Sequence, residues 1–180
     1  FGMIVADNEE DVYAMVNSSI FDGVLYSNNL VLIKYNSSGI KEWEQICNNY
    51  FEKLINGNAL LIDSENNIVI AGTAEIKDQH SSHEGNFAMK FNPNGEQLWM
   101  KTNLGSGNMK MATDNLGNIF ITGCMFYERL NSLLPDSFGT IKLNSNGIFQ
   151  WFQDHNDFDE DEANVITSDS KGNIYVGGIS

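Results

Sequence analysis

The densest group of carboxylates in this sequence lies between Asp154 and Glu162. Asp157, Asp159 and Asp161 alternate within it, and carboxylates at such spacing can gather around a Ca²⁺ ion. The stretch departs from the EF-hand pattern, because it has no glycine at the sixth position and no glutamate at the twelfth. We therefore favour a solvated acidic loop, with a calcium site as the alternative, and assign no metal ligand.

Two histidines form a second candidate metal site. His80 and His83 are separated by two serines and flanked by Asp78 and Glu84. Imidazoles together with carboxylates can hold a transition metal. The segment is polar and serine-rich, and it lacks a rigid helix to hold both imidazoles on one side. We expect a surface loop without a metal.

The nucleophiles of the chain form no recognisable catalytic arrangement. Cys47 and Cys124 occupy unrelated places, and neither has the second cysteine nearby that a zinc site would require. We expect two buried free thiols. No combination of serine, histidine and aspartate, or of cysteine and histidine, stands out as a nucleophile with its base. The sequence therefore predicts no catalytic residue, no cofactor and no enzymatic activity.

Several lysines and aspartates recur at fixed places, which favours a structural role over a catalytic one. We expect each lysine to pack its aliphatic stem and to keep its amine at the surface. Each aspartate is expected to form a turn by bonding its own backbone. The recurring residues are Lys34, Lys90 and Lys142, and Asp7, Asp63, Asp114 and Asp169.

Two asparagines match the acceptor pattern for N-glycosylation. They are Asn17, in Asn17-Ser18-Ser19, and Asn36, in Asn36-Ser37-Ser38. A chain rich in asparagine and serine produces such matches by chance, so we assign no modification.

The charge balance excludes several classes of partner. The formal net charge is −14, and Arg129 is the single arginine. Nucleic acid and anionic lipid both require a basic surface, so neither is an expected partner. The hydrophobic fraction of 42% is enough for a packed core. No apolar run approaches the roughly 18 to 20 residues of a membrane-spanning helix.

The elements that must position these residues form an internal repeat of two motifs. The first motif reads Asp-x-x-Gly-Asn and continues into an apolar run that closes on glycine. The second reads Lys-x-Asn-x-x-Gly with tryptophan four residues later. The first occupies 63–72, 114–123 and 169–178, with a degenerate copy at 7–16, and the second occupies 33–43, 89–99 and 141–151. Because both motifs keep step at intervals of 51 to 56 residues, chance is a poor explanation.

Each motif is typical of a β-hairpin. Both turns fit a type I turn followed by a residue in the left-handed region, which glycine adopts readily. Asn66 takes this place in the second copy and is tolerated there. Glu10 takes it in the first copy at a greater cost, which predicts a different turn. The flanking residues alternate as strands do, with both faces largely apolar, as in a sheet packed between two others.

The repeat predicts an all-β fold, namely a β-propeller built from four-stranded antiparallel blades. One partial propeller covers 1–180, with three complete repeats and half of a fourth, approximately 1–50, 51–103, 104–157 and 158–180. We expect the tryptophan of each fourth strand to pack against the neighbouring blade. Open sheet edges are an aggregation hazard, so remaining blades of the same or a second chain are expected to complete the ring.

The pattern resembles the SBBP beta-propeller repeat family. Lys34-Tyr35-Asn36 and the Gly-Asn-Ile stretches at 117–119 and 172–174 carry the resemblance, which extends over nearly the whole chain. It implies the propeller fold and a large protein that is secreted or attached to the cell surface. Segments 20–29, 77–86 and 127–136 are longer than the family pattern. They are expected to be loops between second and third strands, gathered on one face.

The leading functional expectation is a non-enzymatic binding or interaction scaffold, part of a larger extracellular or cell-surface protein. Its long loops and channel end would bind a protein or glycan. One alternative is a glycan-active lyase or hydrolase at the channel mouth, which needs paired carboxylates or a histidine at the axis. The other alternative is a structural spacer.

Overall fold

The computed structural model describes residues 2–21, 26–47, 51, 55–77, 82–105, 107–124, 138–155 and 162–179. These residues form fourteen β-strands and no helix, so the described ranges hold no helix that could cross a bilayer. The strands make three four-stranded sheets and one two-stranded sheet, each built from consecutive strands. The predicted all-β class and the four-stranded antiparallel units are confirmed, and no described sheet closes on itself.

The strands of each sheet follow chain order. Sheet 1 contains β1 (Gly2–Ala6), β2 (Val12–Phe21), β3 (Tyr26–Tyr35) and β4 (Lys41–Ile46). Sheet 2 contains β5 (Ile55–Ile62), β6 (Ile68–Lys77), β7 (Ser82–Phe91) and β8 (Gln97–Thr102). Sheet 3 contains β9 (Lys110–Thr113), β10 (Ile119–Cys124), β11 (Phe138–Leu143) and β12 (Phe149–His155). Sheet 4 contains β13 (Glu162–Ser168) and β14 (Ile174–Ile179).

The turn between the first and second strands has the same backbone in all four sheets. Its fourth residue donates an amide hydrogen bond to the aspartate carbonyl, and that residue has a positive φ of 64° at Glu10 and 61° at Asn66. The prediction of a different turn at Glu10 is therefore wrong. The left-handed conformation costs a non-glycine residue about 1–2 kcal/mol, but the Asp7 carboxylate still accepts the amides of Glu9 and Asp11.

The glycine that closes the first motif is required because a bulge in the neighbouring strand leaves no space for a Cβ atom. β5 shifts register after Gly57, and a Cβ at Gly72 would collide with the Asn56 carbonyl oxygen. Sheet 4 repeats this arrangement, since a Cβ at Gly178 would collide with the carbonyl of Glu162 beside a register shift in β13. β1 pairs without a shift, so its partner strand can carry a valine at the equivalent place.

Two segments that were predicted as loops are strands in their described parts. β2 and β3 remain paired from Asn17–Leu30 to Phe21–Tyr26, and β6 and β7 remain paired to Lys77–Ser82. The loop predictions are therefore wrong at 20–21, 26–29, 77 and 82–86, because the pairing register continues through these residues, whereas 22–25 and 78–81 lie outside the described residues. The two hairpins extend past their flanking strands as arm 1 (17–21 and 26–30) and arm 2 (75–77 and 82–84). Most of segment 127–136 was also predicted as a loop and lies outside the described residues.

The sheets pack face to face in chain order, with one apolar core between each pair. Tyr13 and Met15 of sheet 1 pack against Ile70 and Met89 of sheet 2. The opposite face of sheet 2 packs on sheet 3, and sheet 3 packs on sheet 4 through Phe120. Ile68 to Ala71 of β6 are fully buried on both faces of the strand, which explains why this part of the strand is apolar at every position.

Candidate functional site

The fourth-strand tryptophan binds the turn of the next sheet. Trp43 Nε1 donates to the Pro93 carbonyl at 3.0 Å, and Trp99 Nε1 donates to the Ser145 carbonyl at 3.1 Å. Each acceptor is the residue after the asparagine of an Asn-x-x-Gly turn. The predicted packing of these two tryptophans against the neighbouring sheet is confirmed.

The glycine of the same turn lies against the indole ring. A Cβ built at Gly95 would lie 3.1 Å from the ring of Trp43, and one at Gly147 would lie 2.8 Å from the ring of Trp99. Both glycines have positive φ, 83° and 73°. The turn therefore requires glycine for its backbone and again for the close approach of the indole.

Two of the three recurring lysines, Lys34 and Lys90, contradict the prediction of a surface amine. Lys90 Nζ lies 2.6 Å from Asp63 Oδ2, and the side chains are only 2% and 0% exposed. The same ammonium donates to the Ser145 carbonyl at 3.0 Å. Lys34 Nζ contacts carboxylate oxygens of Asp11 at 2.8 Å and Glu42 at 2.9 Å. On the third strand each lysine shares a face with residues that pack on the next sheet, so the amine meets a carboxylate before it reaches water.

The pairing of Lys34 has electrostatic consequences. Its ammonium donates to Asp11 and holds the pKa of that carboxyl below its ordinary value. Burial alone would lower the pKa of Lys34, but the hydrogen bonds to Asp11 and Glu42 outweigh it and raise that pKa. Burial raises the pKa of the Tyr13 hydroxyl to about 12. These groups keep one protonation state near neutral pH, as suits structural residues rather than acid–base catalysts.

The recurring aspartates form turns, as predicted. Asp63 Oδ1 accepts the amides of Glu65 and Asn67, both at 2.9 Å. The carboxylates of Asp7, Asp114 and Asp169 accept the equivalent amides. The Asn173 side chain donates a further hydrogen bond that lowers the pKa of Asp169.

The two arms carry polar side chains at the end of the sheets where second and third strands join. Ser19 Oγ donates to Asn28 Oδ1 at 2.7 Å on arm 1. On arm 2, Glu75 lies opposite Glu84 in the strand register, and His83 Nε2 lies 3.1 Å from Asn103 Oδ1. We define the arm surface by these residues: Ser19, Asn28, Glu75, His83, Glu84 and Asn103. Hydroxyl, amide, imidazole and carboxylate groups together can bind a polar ligand through hydrogen bonds.

The predicted metal sites are only partly within the described residues. Asp157, Asp159 and Asp161 lie outside them, as do Asp78 and His80. His83 is described on β7, where its Nε2 contacts Asn103. The described ranges contain no cluster of three or more groups able to hold a metal ion.

The thiol predicted to be buried at Cys47 is buried, with 6% exposure. Burial raises its pKa to about 12, so the thiolate that a nucleophile requires is scarce at neutral pH. Cys47 lines a cleft of about 190 Å³ between sheets 1 and 2, together with Gln45, Glu96 and Gln97. The side chain of Cys124 lies outside the described residues.

The two candidate glycosylation sites differ in their contacts. Asn17 is committed to sheet 2, because its Nδ2 donates to the Gly57 carbonyl at 3.1 Å and its Oδ1 accepts the Gly57 amide at 2.8 Å. Asn36 lies in a turn, and its Oδ1 accepts the amides of Ser38 and Ile40. A glycan on Asn17 would break a contact between sheets, whereas in the turn of Asn36 the side chain bonds through its Oδ1 and not through the Nδ2 that a glycan would occupy.

Two asparagines with unusual surroundings were missed in the sequence. Asn103 has a positive φ of 59° and contacts His83. Asn86 is fully buried, and neither its Oδ1 nor its Nδ2 has a hydrogen-bond partner among the residues that the structure describes. Asn86 stands where the repeat has Leu30 in sheet 1. A polar residue at an apolar position of the repeat was the available signal.

Comparisons with family models and with curated proteins identify no relative of this chain. No family model matches the sequence, and no curated protein matches it. The functional argument therefore rests on the repeat and on the contacts described above.

Proposed function

We propose that this chain is a segment of a β-propeller that acts as a non-enzymatic interaction scaffold outside the cell. The ligand is a protein or a glycan, and it binds at the arm surface. The extracellular location rests on the resemblance to the SBBP repeat family, whose members are mostly large proteins that are secreted or surface-attached.

The propeller geometry is supported by the repeated contact between sheets. The indole of Trp43 docks on the turn of sheet 2, and the indole of Trp99 docks on the equivalent turn of sheet 3. The repetition of this contact between successive four-stranded sheets supports a constant rotation from each sheet to the next. Radial repetition of such sheets is the construction of a propeller.

The binding role is carried by one observation, the exposure of polar side chains on the paired strands of arm 2. Interior charged groups such as Lys90 and Asp63 are buried, whereas His83 and Glu84 are exposed. His83 contacts Asn103 on the same surface. Polar groups held on paired strands are positioned more rigidly than groups on a loop, which lowers the entropy cost of binding.

An array of purified extracellular polysaccharides and glycoproteins tests this proposal with two matched charge reversals. Glu84→Lys changes the arm surface, whereas Glu9→Lys changes an exposed turn at the opposite end of the sheets. We expect saturable binding that Glu84→Lys weakens at least tenfold and Glu9→Lys preserves. Absence of binding across the array, or equal binding by both variants, would overturn the proposal. Release of shortened glycans would replace it with the glycan-active enzyme.

A further inference from the structure

Sheet 2 buries an ammonium, a carboxylate and a carboxamide in direct contact. Lys90 Nζ lies 2.6 Å from Asp63 Oδ2, and the same oxygen accepts a hydrogen bond from Asn67 Nδ2 at 3.2 Å. Lys90, Asp63 and Asn67 are 1%, 4% and 7% exposed. An amine, a base that contacts it and an amide that contacts the same base are the groups required for nucleophilic substitution at the amide carbon.

The surrounding contacts hold these groups in place. Asp63 Oδ1 accepts the backbone amides of Glu65 and Asn67, which leaves Oδ2 to face the lysine and the carboxamide. The Ser145 carbonyl of sheet 3 accepts a hydrogen bond from Lys90 Nζ at 3.0 Å. Asn67 Nδ2 also donates to Glu65 Oε2 at 3.2 Å, and Glu65 is exposed, so the carboxamide nitrogen lies beside a route to solvent. Such positioning makes a reaction between two groups of one chain much faster than the same reaction in solution.

Sheet 1 shows that a lysine of the third strand reaches the side chain at this turn position. Asp11 stands where sheet 2 has Asn67, and Lys34 stands where sheet 2 has Lys90. Lys34 Nζ lies 2.8 Å from Asp11 Oδ2. The same approach by Lys90 therefore brings its nitrogen to the carboxamide group of Asn67. The negative charge of the Asp11 carboxylate resists attack by an amine, whereas the carboxamide of Asn67 is uncharged.

We propose that Lys90 and Asn67 form an amide cross-link within the chain, with Asp63 as the base that moves the protons. Lys90 gives a proton to Asp63 Oδ2, which leaves two neutral groups in a site that disfavours separated charges. Nζ then attacks Asn67 Cγ, the bond from Cγ to Nδ2 breaks, and Asp63 passes protons to the departing nitrogen. That nitrogen leaves as ammonium with two of the three Nζ protons, and no other reactant is consumed. The new bond ties β7, which carries one strand of arm 2, to the turn before β6.

Mass spectrometry of the full chain under denaturing conditions tests the cross-link. After prolonged incubation of the folded protein at neutral pH, we expect most molecules to weigh one ammonia less than the sequence requires. Cleavage after lysine should then yield segment 54–77 joined to segment 78–101, which remains uncut at Lys90. The joined segments are required, because a succinimide at an Asn-Gly pair such as Asn94-Gly95 also loses ammonia but links no two peptides.

Three outcomes of this measurement would overturn the proposal. The first is a full mass after incubation, and the second is loss of ammonia without joined segments. The third is loss of water in place of ammonia, which would make Asp63 the electrophile and remove the role of Asn67. None of the three bears on the ligand of the arm surface.

Matched variants assign the roles of the three residues. Asn67→Asp introduces the residue that sheet 1 carries and keeps the contact of Lys90 with Asp63, and it should abolish the loss of ammonia. Asn118→Asp is the same change in sheet 3, where the lysine ammonium lies 5.1 Å from the centroid of an aromatic ring, and it should preserve the cross-link. Asp63→Ser retains a turn-forming side chain without the base and should stop the reaction. Loss of ammonia that persists in Asn67→Asp, or a cross-link lost in Asn118→Asp, would contradict the assignment even if Asp63→Ser does not fold.

Discussion

The Lys90 ammonium and the Asp63 carboxylate lie 2.6 Å apart and almost wholly out of contact with solvent. This pair joins the third strand of sheet 2 to the turn before its second strand. In sheet 1 a different carboxylate neutralises the lysine of the third strand, because Lys34 pairs with Asp11 and not with the turn aspartate Asp7. Asp11 stands where sheet 2 has Asn67. One lysine position thus finds its carboxylate at either of two turn positions.

Loss of the buried pair should lower the free energy of unfolding much more than loss of the equivalent, more exposed pair in sheet 1. Asp63→Asn leaves Lys90 as a buried charge without its carboxylate, which costs roughly 3–5 kcal/mol. Asp11→Asn is the matched control, since it restores the asparagine of the other copies at a more exposed position, and its cost should be much smaller. Urea unfolding followed by far-UV circular dichroism measures both. Equal losses for the two variants would contradict the pairing.

Acid should destabilise the chain through the turn carboxylates. The folded pKa of Asp11 and that of Asp169 lie below the ordinary value of 3.8. Groups with lowered pKa contribute their full stability above the unfolded pKa and lose it as pH falls through the folded one. The melting temperature should therefore hold down to about pH 5 and decrease below about pH 4. Asp11→Asn should decrease less over that range, and an identical decrease would argue against the Asp11 contribution.

Substitution of two turn glycines can distinguish the cost of backbone strain from the cost of contact with the indole. Gly39 and Gly147 have nearly the same φ, 76° and 73°, but only a Cβ at Gly147 would meet a ring, 2.8 Å from Trp99. Gly39→Ala should cost about 1–2 kcal/mol for the left-handed backbone alone. Gly147→Ala should cost about 1–3 kcal/mol more, because the indole must move. Chemical unfolding compares the pair directly, and similar losses would rule out the close contact.

Cys47 should resist thiol reagents while the chain is folded. A pKa of about 12 leaves roughly one thiolate in ten thousand at pH 8. In a Cys124→Ser variant, Ellman's reagent should react slowly without urea and rapidly in urea. Fast reaction of the folded protein would show that Cys47 is accessible and ionised. Such reactivity would also make the cleft that Cys47 lines a candidate site for nucleophilic chemistry.

The local turns could be predicted from the sequence because their causes are local. Asp63 bonds amides two and four residues away, so the motif itself carries the information. The same is true of the glycines of the Asn-x-x-Gly turns. The turn at Glu10 could not be predicted, because the hydrogen bonds of Asp7 retain the common backbone despite an unfavourable residue.

The contacts of Lys90 and Asn17 could not be predicted from the sequence patterns. Lys90 reaches Ser145, 55 positions away, and Asn17 reaches Gly57, 40 positions away. Both contacts depend on how sheets stack, which no single repeat reveals. The arms were missed for another reason. Asparagine and serine have low strand propensity, but the register set by the apolar part of β2 and β3 carries them into the pairing.

The central claim is that the indoles of Trp43 and Trp99 dock on the next sheet, and the three indole N–H signals of a ¹⁵N-labelled sample test it most directly. Single Trp→Phe variants assign the signals, and their exchange with water is then measured. The account predicts slow exchange for Trp43 and Trp99, whose N–H groups are hydrogen-bonded to Pro93 and Ser145, and fast exchange for Trp151. Equally fast exchange of all three would contradict it.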